Sequence, residues 1–205
     1  MQRFAIRLAV ALAALLIVSQ FVLPPIAENR LEGSVTEHGG TAKADLSAIP
    51  ALELLFKHGD KLGLTASNLS VDLEQNQQDV FKQLDHFGEV DITITDSRAG
   101  PFSVKQFHVK KTGQNQYDVA IAGDGTAGDV ARYAGSRLGG GFGQSLAGLA
   151  ASALGGFDTP IPFDATMQVD SSGDTPTARN VAGQVAGLPA GPLAQVVANA
   201  LLSGI

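Results

Sequence analysis

Four histidines are the side chains in this sequence best suited to catalysis or metal binding: His38, His58, His86 and His108. None of them has a second histidine or a carboxylate at a helical spacing that makes a metal site. His38 and His58 each precede a glycine, where a histidine favours the last turn of a helix, so we interpret both as capping residues. The sequence therefore predicts no metal site and no cofactor.

Hydrolytic chemistry would also need an activated nucleophile. Residues 143–147, Gly-Gln-Ser-Leu-Ala, match only part of the glycine-x-serine-x-glycine elbow of many hydrolases. An envelope hydrolase that pairs a serine with His86 or His108 is therefore a minor hypothesis, and we expect no enzymatic activity. Residues 124–129 carry too few acids for a calcium loop and are predicted to begin a helix over residues 127–137.

Composition narrows the class of protein further. The chain has 205 residues and a formal net charge of −6 at pH 7, a length that suits one domain with or without an anchor. Nucleic acids are bound mainly through lysine and arginine, so an acidic chain is not expected to bind them. The absence of cysteine excludes disulfides, thiolate metal sites and lipid attachment at cysteine.

The N-terminus has the pattern of an export segment. Arg3 and Arg7 precede residues 8–23, which are almost wholly apolar. Such a pattern is typical of a signal peptide or of an N-terminal membrane anchor, and both place the remaining chain outside the cytoplasmic membrane. The apolar run is shorter than the ~20 residues of a comfortable span, but no strong cleavage site follows it. Residues 1–24 are thus a signal peptide or an anchor, and residues 25–205 form the domain.

A strand, a proline, a short helix and a second strand set the pattern of that domain. Residues 41–48 alternate apolar and polar side chains, which predicts a strand with one buried face. Pro50 ends it, residues 51–58 are predicted to form an apolar helix, and Gly59 is predicted to end that helix in a left-handed conformation. The next alternating run slips phase at residues 67–68, as a β-bulge does, and bulges bend sheets.

Five later alternating runs predict further strands: residues 90–95, 102–109, 117–121, 161–169 and 181–185. Turn residues between the first three of them predict an antiparallel meander. Helices are predicted at residues 25–38, beginning at Pro25, and at residues 77–86. The predicted fold class is α+β: a strongly curved, bulged antiparallel sheet that wraps around helices, with an N-terminal apolar helix.

Two uncharged stretches complete the chain. Residues 138–157 contain no charged residue, but the glycines at residues 139–141 argue against a membrane span. Residues 193–202 are predicted to form an apolar helix of about 15 Å, too short to cross a bilayer. We take the glycine-rich loop and this C-terminal helix as the candidate entrance to an apolar interior.

Two motifs give the chain a family resemblance. Residues 23–28, Leu-Pro-Pro-Ile-Ala-Glu, resemble a helix entry, and residues 50–59 resemble the element Pro-x-Leu-x-Leu-Leu-x-x-Gly with one extra residue. Over about residues 22–73 the chain is similar to the LmeA-like family of exported actinobacterial phospholipid-binding proteins. That family looks related to the tubular lipid-binding (TULIP) proteins, whose strongly bent sheet wraps a long helix and leaves an apolar tunnel. The resemblance implies lipid binding in the cell envelope and no catalytic residue.

The leading hypothesis is an extracytoplasmic lipid-binding protein that holds acyl chains in an apolar tunnel and acts in envelope assembly or lipid transport. The alternative is a membrane-anchored module that packs against a partner protein and binds no ligand. The predicted partners are a phospholipid or another acyl lipid and the outer face of the cytoplasmic membrane. The apolar residues predicted to contact the lipid are Leu46, Leu52, Leu55, Phe56, Leu64, Ile92, Ile94, Val119, Ile121, Phe163, Met167, Leu193, Val197 and Leu201.

Overall fold

The computed structural model describes residues 2–37, 39–71, 80–100, 102–126, 128, 160–173, 176–185 and 188–189. In the first helix the side chains are described from Ser19 onward. This part of the chain is α+β, and most of it belongs to one large curved sheet that does not close into a barrel.

The first helix, α1, runs from Gln2 to Thr36 and contains Pro24 and Pro25. The sequence predicted a helix that begins at Pro25, and this start is wrong. A proline inside a helix removes one backbone hydrogen bond, here those to the carbonyls of Gln20 and Phe21, but it does not have to end the helix. In the part of the chain that the structure describes, no helix is long and apolar enough to cross a membrane.

Strand β1 (Thr41–Ser47), the 3₁₀ helix η1 (Ala51–Phe56) and strand β2 (Gly59–Ser67) follow, and β1 and β2 pair antiparallel. The predicted left-handed end at Gly59 is wrong, because Lys57 takes that conformation, with φ of 58°. Gly59 is needed for close packing instead. A Cβ there would lie 2.8 Å from the Ser47 carbonyl oxygen and 2.9 Å from the ring of Phe87.

Strand β3 (Ser70–Val71) continues β2 beyond Asn68, whose φ of 58° marks the predicted break in phase. Helix α2 (Val80–Leu84) and strand β4 (Phe87–Ala99) come next. Both β2 and β3 pair with β4 in parallel, so the sheet is mixed and the antiparallel prediction is wrong. A parallel neighbour requires a crossover connection, and the segment that contains α2 supplies it.

Strands β5 (Phe102–Gly113), β6 (Gln116–Thr126), β7 (Pro160–Asp170), β8 (Thr177–Val185) and β9 (Leu188–Pro189) extend the sheet by antiparallel pairing. The strand order is β1-β2-β4-β5-β6-β7-β8-β9, with β3 beside β4. The pairing shifts register between Val104 and Gln106, where the sequence also slips phase.

The residues predicted to cap a helix at residues 127–137 lie in a strand. Asp124, Gly125 and Thr126 are the last residues of β6 and pair with β7. The Asp124 carboxylate lies 2.7 Å from the ammonium group of Lys105 on β5, so it makes a cross-strand ion pair. Apart from Gly128, the helix predicted at residues 127–137 lies outside the described residues.

Side chains alternate across the sheet, so one face is apolar and the other is polar. On β7, for example, every inward residue from Ile161 to Val169 is buried and every outward neighbour is exposed. The inward side chains of β1 to β7 join one hydrophobic cluster with Val35 of α1 and with Phe81 and Leu84 of α2. The core among the described residues therefore lies on a single face of the sheet.

Helix α1 covers the free edge of β1 with two carboxylates. The N–H of Ala44 donates to Oε1 of Glu32 at 2.8 Å, and the N–H of Leu46 donates to Oε1 of Glu28 at 3.0 Å. Residues four apart in a helix rise about 6 Å, which nearly matches the ~6.6 Å between alternate residues of a strand. We call Glu28 and Glu32 the edge clamp, because they satisfy the N–H groups that an added strand would otherwise use.

Candidate functional site

The apolar face of the sheet is the candidate site, because it collects most of the residues predicted to contact a lipid. Those that lie on strands are all buried, between 0% and 7% exposed. They all belong to the one hydrophobic cluster and come from β1, β2, β4, β6 and β7. These eight residues are Leu46, Leu64, Ile92, Ile94, Val119, Ile121, Phe163 and Met167.

The three predicted residues of η1 lie elsewhere. Leu52 is half-buried, whereas Leu55 is 57% exposed and Phe56 is 74% exposed. The reason is the 3₁₀ geometry, with three residues per turn, which places Ala51 and Leu54 together on the buried side. Leu55 and Phe56 are therefore surface residues, separate from the apolar face.

The remaining predicted residues, Leu193, Val197 and Leu201, lie outside the described residues, as does the glycine-rich loop of residues 139–143. The structure thus gives the positions of the predicted residues on the strands and in η1. It brings the strand residues together and places two of the three η1 residues on the surface.

The buried positions of the described strands carry no charged residue. The buried polar residues of this part of the chain are Ser97 and Ser171, at 4% and 3% exposure. The hydroxyl of Ser97 accepts from the N–H of Leu69 at 3.0 Å and donates to the carbonyl of Thr95 at 2.8 Å, at the break between β2 and β3. Its polarity is thus satisfied by the backbone, and the face stays apolar.

A polar cluster closes one end of this face. The Tyr117 hydroxyl donates to Oδ1 of Asp85 at 2.7 Å, and the Ser171 hydroxyl lies 2.8 Å from both carboxylate oxygens. The ammonium group of Lys111 donates to the backbone carbonyls of Asp85 and Phe87. We call Asp85, Lys111, Tyr117 and Ser171 the polar latch, because together they tie the end of α2 to β5, β6 and the end of β7.

The protonation of the polar latch fits a structural role. Burial and the hydrogen bond to Asp85 raise the pKa of Tyr117 well above its usual range. Burial lowers the pKa of Lys111. Both hydroxyls donate to the same carboxylate, so Asp85 links Tyr117 of β6 to Ser171, which follows β7. Sequence analysis missed this cluster, because its members are up to 86 residues apart in the chain.

Two histidines that are distant in sequence meet at the same end of the sheet. The rings of His58 and His86 stack with centroids 4.3 Å apart, and the N–H of Gly59 donates to the His86 carbonyl at 3.2 Å. Nδ1 of His58 lies 2.8 Å from the carbonyl of Phe56, which can only accept, so that nitrogen carries a proton and His58 caps η1. The described residues contain no group of three or more side chains that could hold a metal ion, and His38 lies outside the described residues.

The polar face carries a shallow groove of about 410 Å³ across β5, β6, β7 and β8. His108 lines it, and its Nε2 lies 3.0 Å from Oδ1 of Asp91 on β4. Among the described residues that line the groove, Thr166 supplies the single hydroxyl.

No family model, curated protein or solved structure matches the chain. The LmeA-like resemblance accordingly stays a prediction, and the function has to be argued from the geometry of the site.

Proposed function

We propose that this protein is a non-enzymatic lipid-binding protein of the extracytoplasmic space, which holds acyl chains against the apolar face of its sheet. The observation that supports it best is the uniformity of that face. Seven strands, β1 to β7, contribute buried apolar side chains to one cluster, and no charged residue of these strands is among the buried ones.

The dimensions of the face suit an acyl chain. Strands β4 to β7 contain 13, 12, 11 and 11 residues, about twice the usual length of a strand. Eleven residues extend over roughly 36 Å. One acyl chain of a bilayer leaflet reaches about 15 Å, half of the hydrocarbon thickness, so it fits along these strands.

The chemistry of the face also suits an acyl chain. Each methylene transferred from water to an apolar surface contributes about 0.8 kcal/mol, so a fatty chain binds without any charged partner. The inward residues of β7 include the small Ala165 beside Phe163 and Met167, which gives that strand an uneven inner surface. The proposed role is transport or assembly of envelope lipid, with a phospholipid or another acyl lipid as ligand.

The test is solvent extraction of the purified full-length chain, followed by mass spectrometry of the extract. We expect a stoichiometric acyl lipid. A full-length protein with an apolar N-terminus also carries lipid from the detergent micelle, so a matched pair of variants is needed. Ala165→Phe fills space on the apolar face, whereas Ala122→Phe adds the same ring to the polar face of β6.

The expected result is that Ala165→Phe lowers the lipid content severalfold while Ala122→Phe leaves it unchanged. Equal lipid in both variants, or no lipid in the parent protein together with no uptake of a fluorescent phospholipid, would refute lipid binding. A folded protein without lipid that retains one partner protein would instead support the interaction-module alternative.

A further inference from the structure

Six large apolar side chains are exposed in two segments that are separate in sequence and neighbours in space. Their exposed fractions range from 43% for Ile26 to 80% for Ile49. The one other exposed large apolar residue among the described residues is Val181, on β8. We call the six the apolar patch: Phe21, Val22 and Ile26 of α1, and Ile49, Leu55 and Phe56 in and beside η1.

The two segments of the apolar patch lie beside each other, because α1 packs against η1. With the Gln20 amide oriented to satisfy both of its partners, its nitrogen donates to the Ala48 carbonyl at 3.2 Å and its oxygen accepts from the Ala51 N–H at 2.9 Å. Phe21 follows Gln20 in the chain, and Ile49 lies between Ala48 and Ala51. The most exposed residue of each segment therefore flanks the contact that joins them.

The patch lies where α1 leaves the sheet. Glu32 contacts Ala44, Glu28 contacts Leu46, and Gln20 reaches the residues just after β1, so α1 runs antiparallel to β1 and passes its end at Gln20. The N-terminal part of the same helix continues from that point. In sequence it is the apolar run of residues 8–23, and no charged residue occurs between Arg7 and Glu28. The exposed side chains are thus continuous with the most apolar segment of the chain.

The cationic residue Lys57 borders the patch. Lys57, exposed, follows Phe56 directly and holds the left-handed turn that ends η1. A lysine next to exposed aromatic and aliphatic side chains is the arrangement that lipid interfaces favour, with the apolar groups below the phosphates and the ammonium group beside them.

We propose that the apolar patch docks onto the surface of a phospholipid bilayer, with Ile49, Leu55 and Phe56 inserted at the boundary between headgroups and acyl chains. The proposal rests on the proposed function for placing the protein at the outer face of the cytoplasmic membrane. It adds an orientation: the end of the sheet that carries η1 faces the lipid, and the sheet stands away from the membrane.

The chain contains no tryptophan, so a single introduced tryptophan reports on its own surroundings. The test reconstitutes full-length Phe56→Trp into vesicles of phosphatidylcholine and phosphatidylglycerol whose acyl chains carry bromine, a contact quencher. Val181→Trp is the matched control, since Val181 is also exposed but lies on β8, near the opposite edge of the sheet. Phe163→Trp, on the apolar face, reports lipid that is bound in the interior.

We expect the emission of Phe56→Trp to shift to the blue and to be quenched, and that of Val181→Trp to stay unquenched. Adding Leu55→Ser and Ile49→Ser to Phe56→Trp lowers the docking equilibrium constant by about tenfold for each side chain removed. Adding Val181→Ser leaves it unchanged. If Phe56→Trp is no more quenched than Val181→Trp, the docking proposal is wrong.

A blue shift without quenching also overturns the proposal, because it means that protein, such as a second copy, covers the patch. The failure of docking is separable from the failure of the proposed function. Quenching of Phe56→Trp but not of Phe163→Trp supports docking without lipid in the interior. The opposite result supports interior lipid and rejects this surface as the docking site.

Discussion

Tyr117 and Asp85 show how single residues set the limits of the apolar face. Tyr117 is fully buried, yet its hydroxyl finds a carboxylate at 2.7 Å, and the same carboxylate receives Ser171. A buried hydroxyl without a partner costs roughly 1–3 kcal/mol, so the polar latch lets a strand carry a polar residue into the core without that loss. The apolar face of the sheet therefore ends at the polar latch.

Replacing Tyr117 by phenylalanine should change the alkaline pH dependence of stability. In the unfolded chain the phenol ionises near pH 10, whereas burial and Asp85 raise the pKa of Tyr117 in the folded protein. The unfolded state therefore releases this proton first, and the free energy of unfolding falls as the pH rises above about 10. Tyr117→Phe should flatten that fall by up to about 1.4 kcal/mol per pH unit.

Urea unfolding of both proteins between pH 8 and about 11 measures this effect. Lys111 is present in both, so its own titration largely cancels in the comparison. At neutral pH the variant should lose about 1–3 kcal/mol, because Asp85 keeps its charge and loses one donor. Identical alkaline slopes in the two proteins would show that Tyr117 titrates as it does in the unfolded chain.

Gly59 offers a second prediction at the residue scale. Gly59→Ala should destabilise the protein by more than about 1 kcal/mol, because the new Cβ would lie 2.8 Å from a backbone oxygen that cannot move away cheaply. Gly63→Ala on the same strand is the control, since its Cβ meets atoms only at 3.4 Å and beyond. That control should be neutral or slightly stabilising. Thermal unfolding of the pair distinguishes close packing from a mere requirement for strand flexibility.

At the scale of elements, the edge clamp links the first helix to the first strand. A sheet edge exposes N–H groups that can recruit a strand from another molecule, and proteins commonly block such edges. Here two glutamates one turn apart fit two alternate residues of β1. The fit depends on two nearly equal lengths: the rise of four residues in a helix and the distance between alternate residues of a strand.

Removing one carboxylate of the edge clamp should destabilise the protein and expose the edge. Glu28→Ala leaves the Leu46 N–H without its acceptor and should cost about 1–3 kcal/mol, whereas Glu28→Gln keeps an oxygen acceptor and should cost less. Asn29→Ala, at an exposed position of the same helix, is the control. Denaturant unfolding measures the cost.

Replacing both glutamates should in addition produce association that increases with protein concentration, visible by light scattering. If the doubly substituted protein stays monomeric and as stable as the Asn29→Ala control, the clamp does not protect the edge.

The sequence predicted most elements and mispredicted their connections, for physical reasons that particular residues show. Alternation of side chains locates a strand and its inward face, so β1 and β7 were predicted with nearly correct bounds, and residues 90–95 were recognised as a strand although β4 runs from Phe87 to Ala99. Alternation carries no information on the neighbour of a strand, so the parallel pairing of β2 with β4 was missed. Local signals also misled: Pro25 looks like the start of a helix but lies inside α1.

The candidate site was predictable to the same extent. The eight strand residues of the lining follow from the inward parity of each strand, which the sequence shows directly. The exposure of Leu55 and Phe56 depends on whether residues 51–56 form a 3₁₀ or an α-helix, a choice that their composition leaves open. The polar latch depends on contacts between distant segments of the chain, and local sequence patterns do not predict such contacts.

At the scale of the whole molecule, the sheet has one polar and one apolar face, and the apolar face is proposed to bind lipid. A ligand that binds only the folded state stabilises it by mass action, by about 2.7 kcal/mol when its concentration is one hundred times its dissociation constant. Delipidated protein should therefore have a lower Tm than lipid-loaded protein, and added phospholipid should restore it in a concentration-dependent way.

Calorimetry of the delipidated full-length chain checks this expectation. The Tm of Ala165→Phe, which adds a ring to the apolar face, should rise less on addition of lipid. The Tm of Ala122→Phe should rise as much as that of the parent protein. A Tm that does not depend on phospholipid concentration in any of the three proteins would contradict binding to the folded state.

The parallel pairing of β2 with β4 joins two parts of the sheet that can form separately, the β1–β2 hairpin and the β4–β6 meander. The hairpin of β1 and β2 is local, and so is the meander of β4, β5 and β6, but joining them requires the crossover to close. Closing a longer loop costs more entropy, so we expect the meander to assemble early and the joint late. Pulse-labelled hydrogen exchange should then protect the amides of β5 before those of β2 that face β4, and the reverse order would contradict it. The N-terminal piece, although first to leave the ribosome, would be the last to find its place.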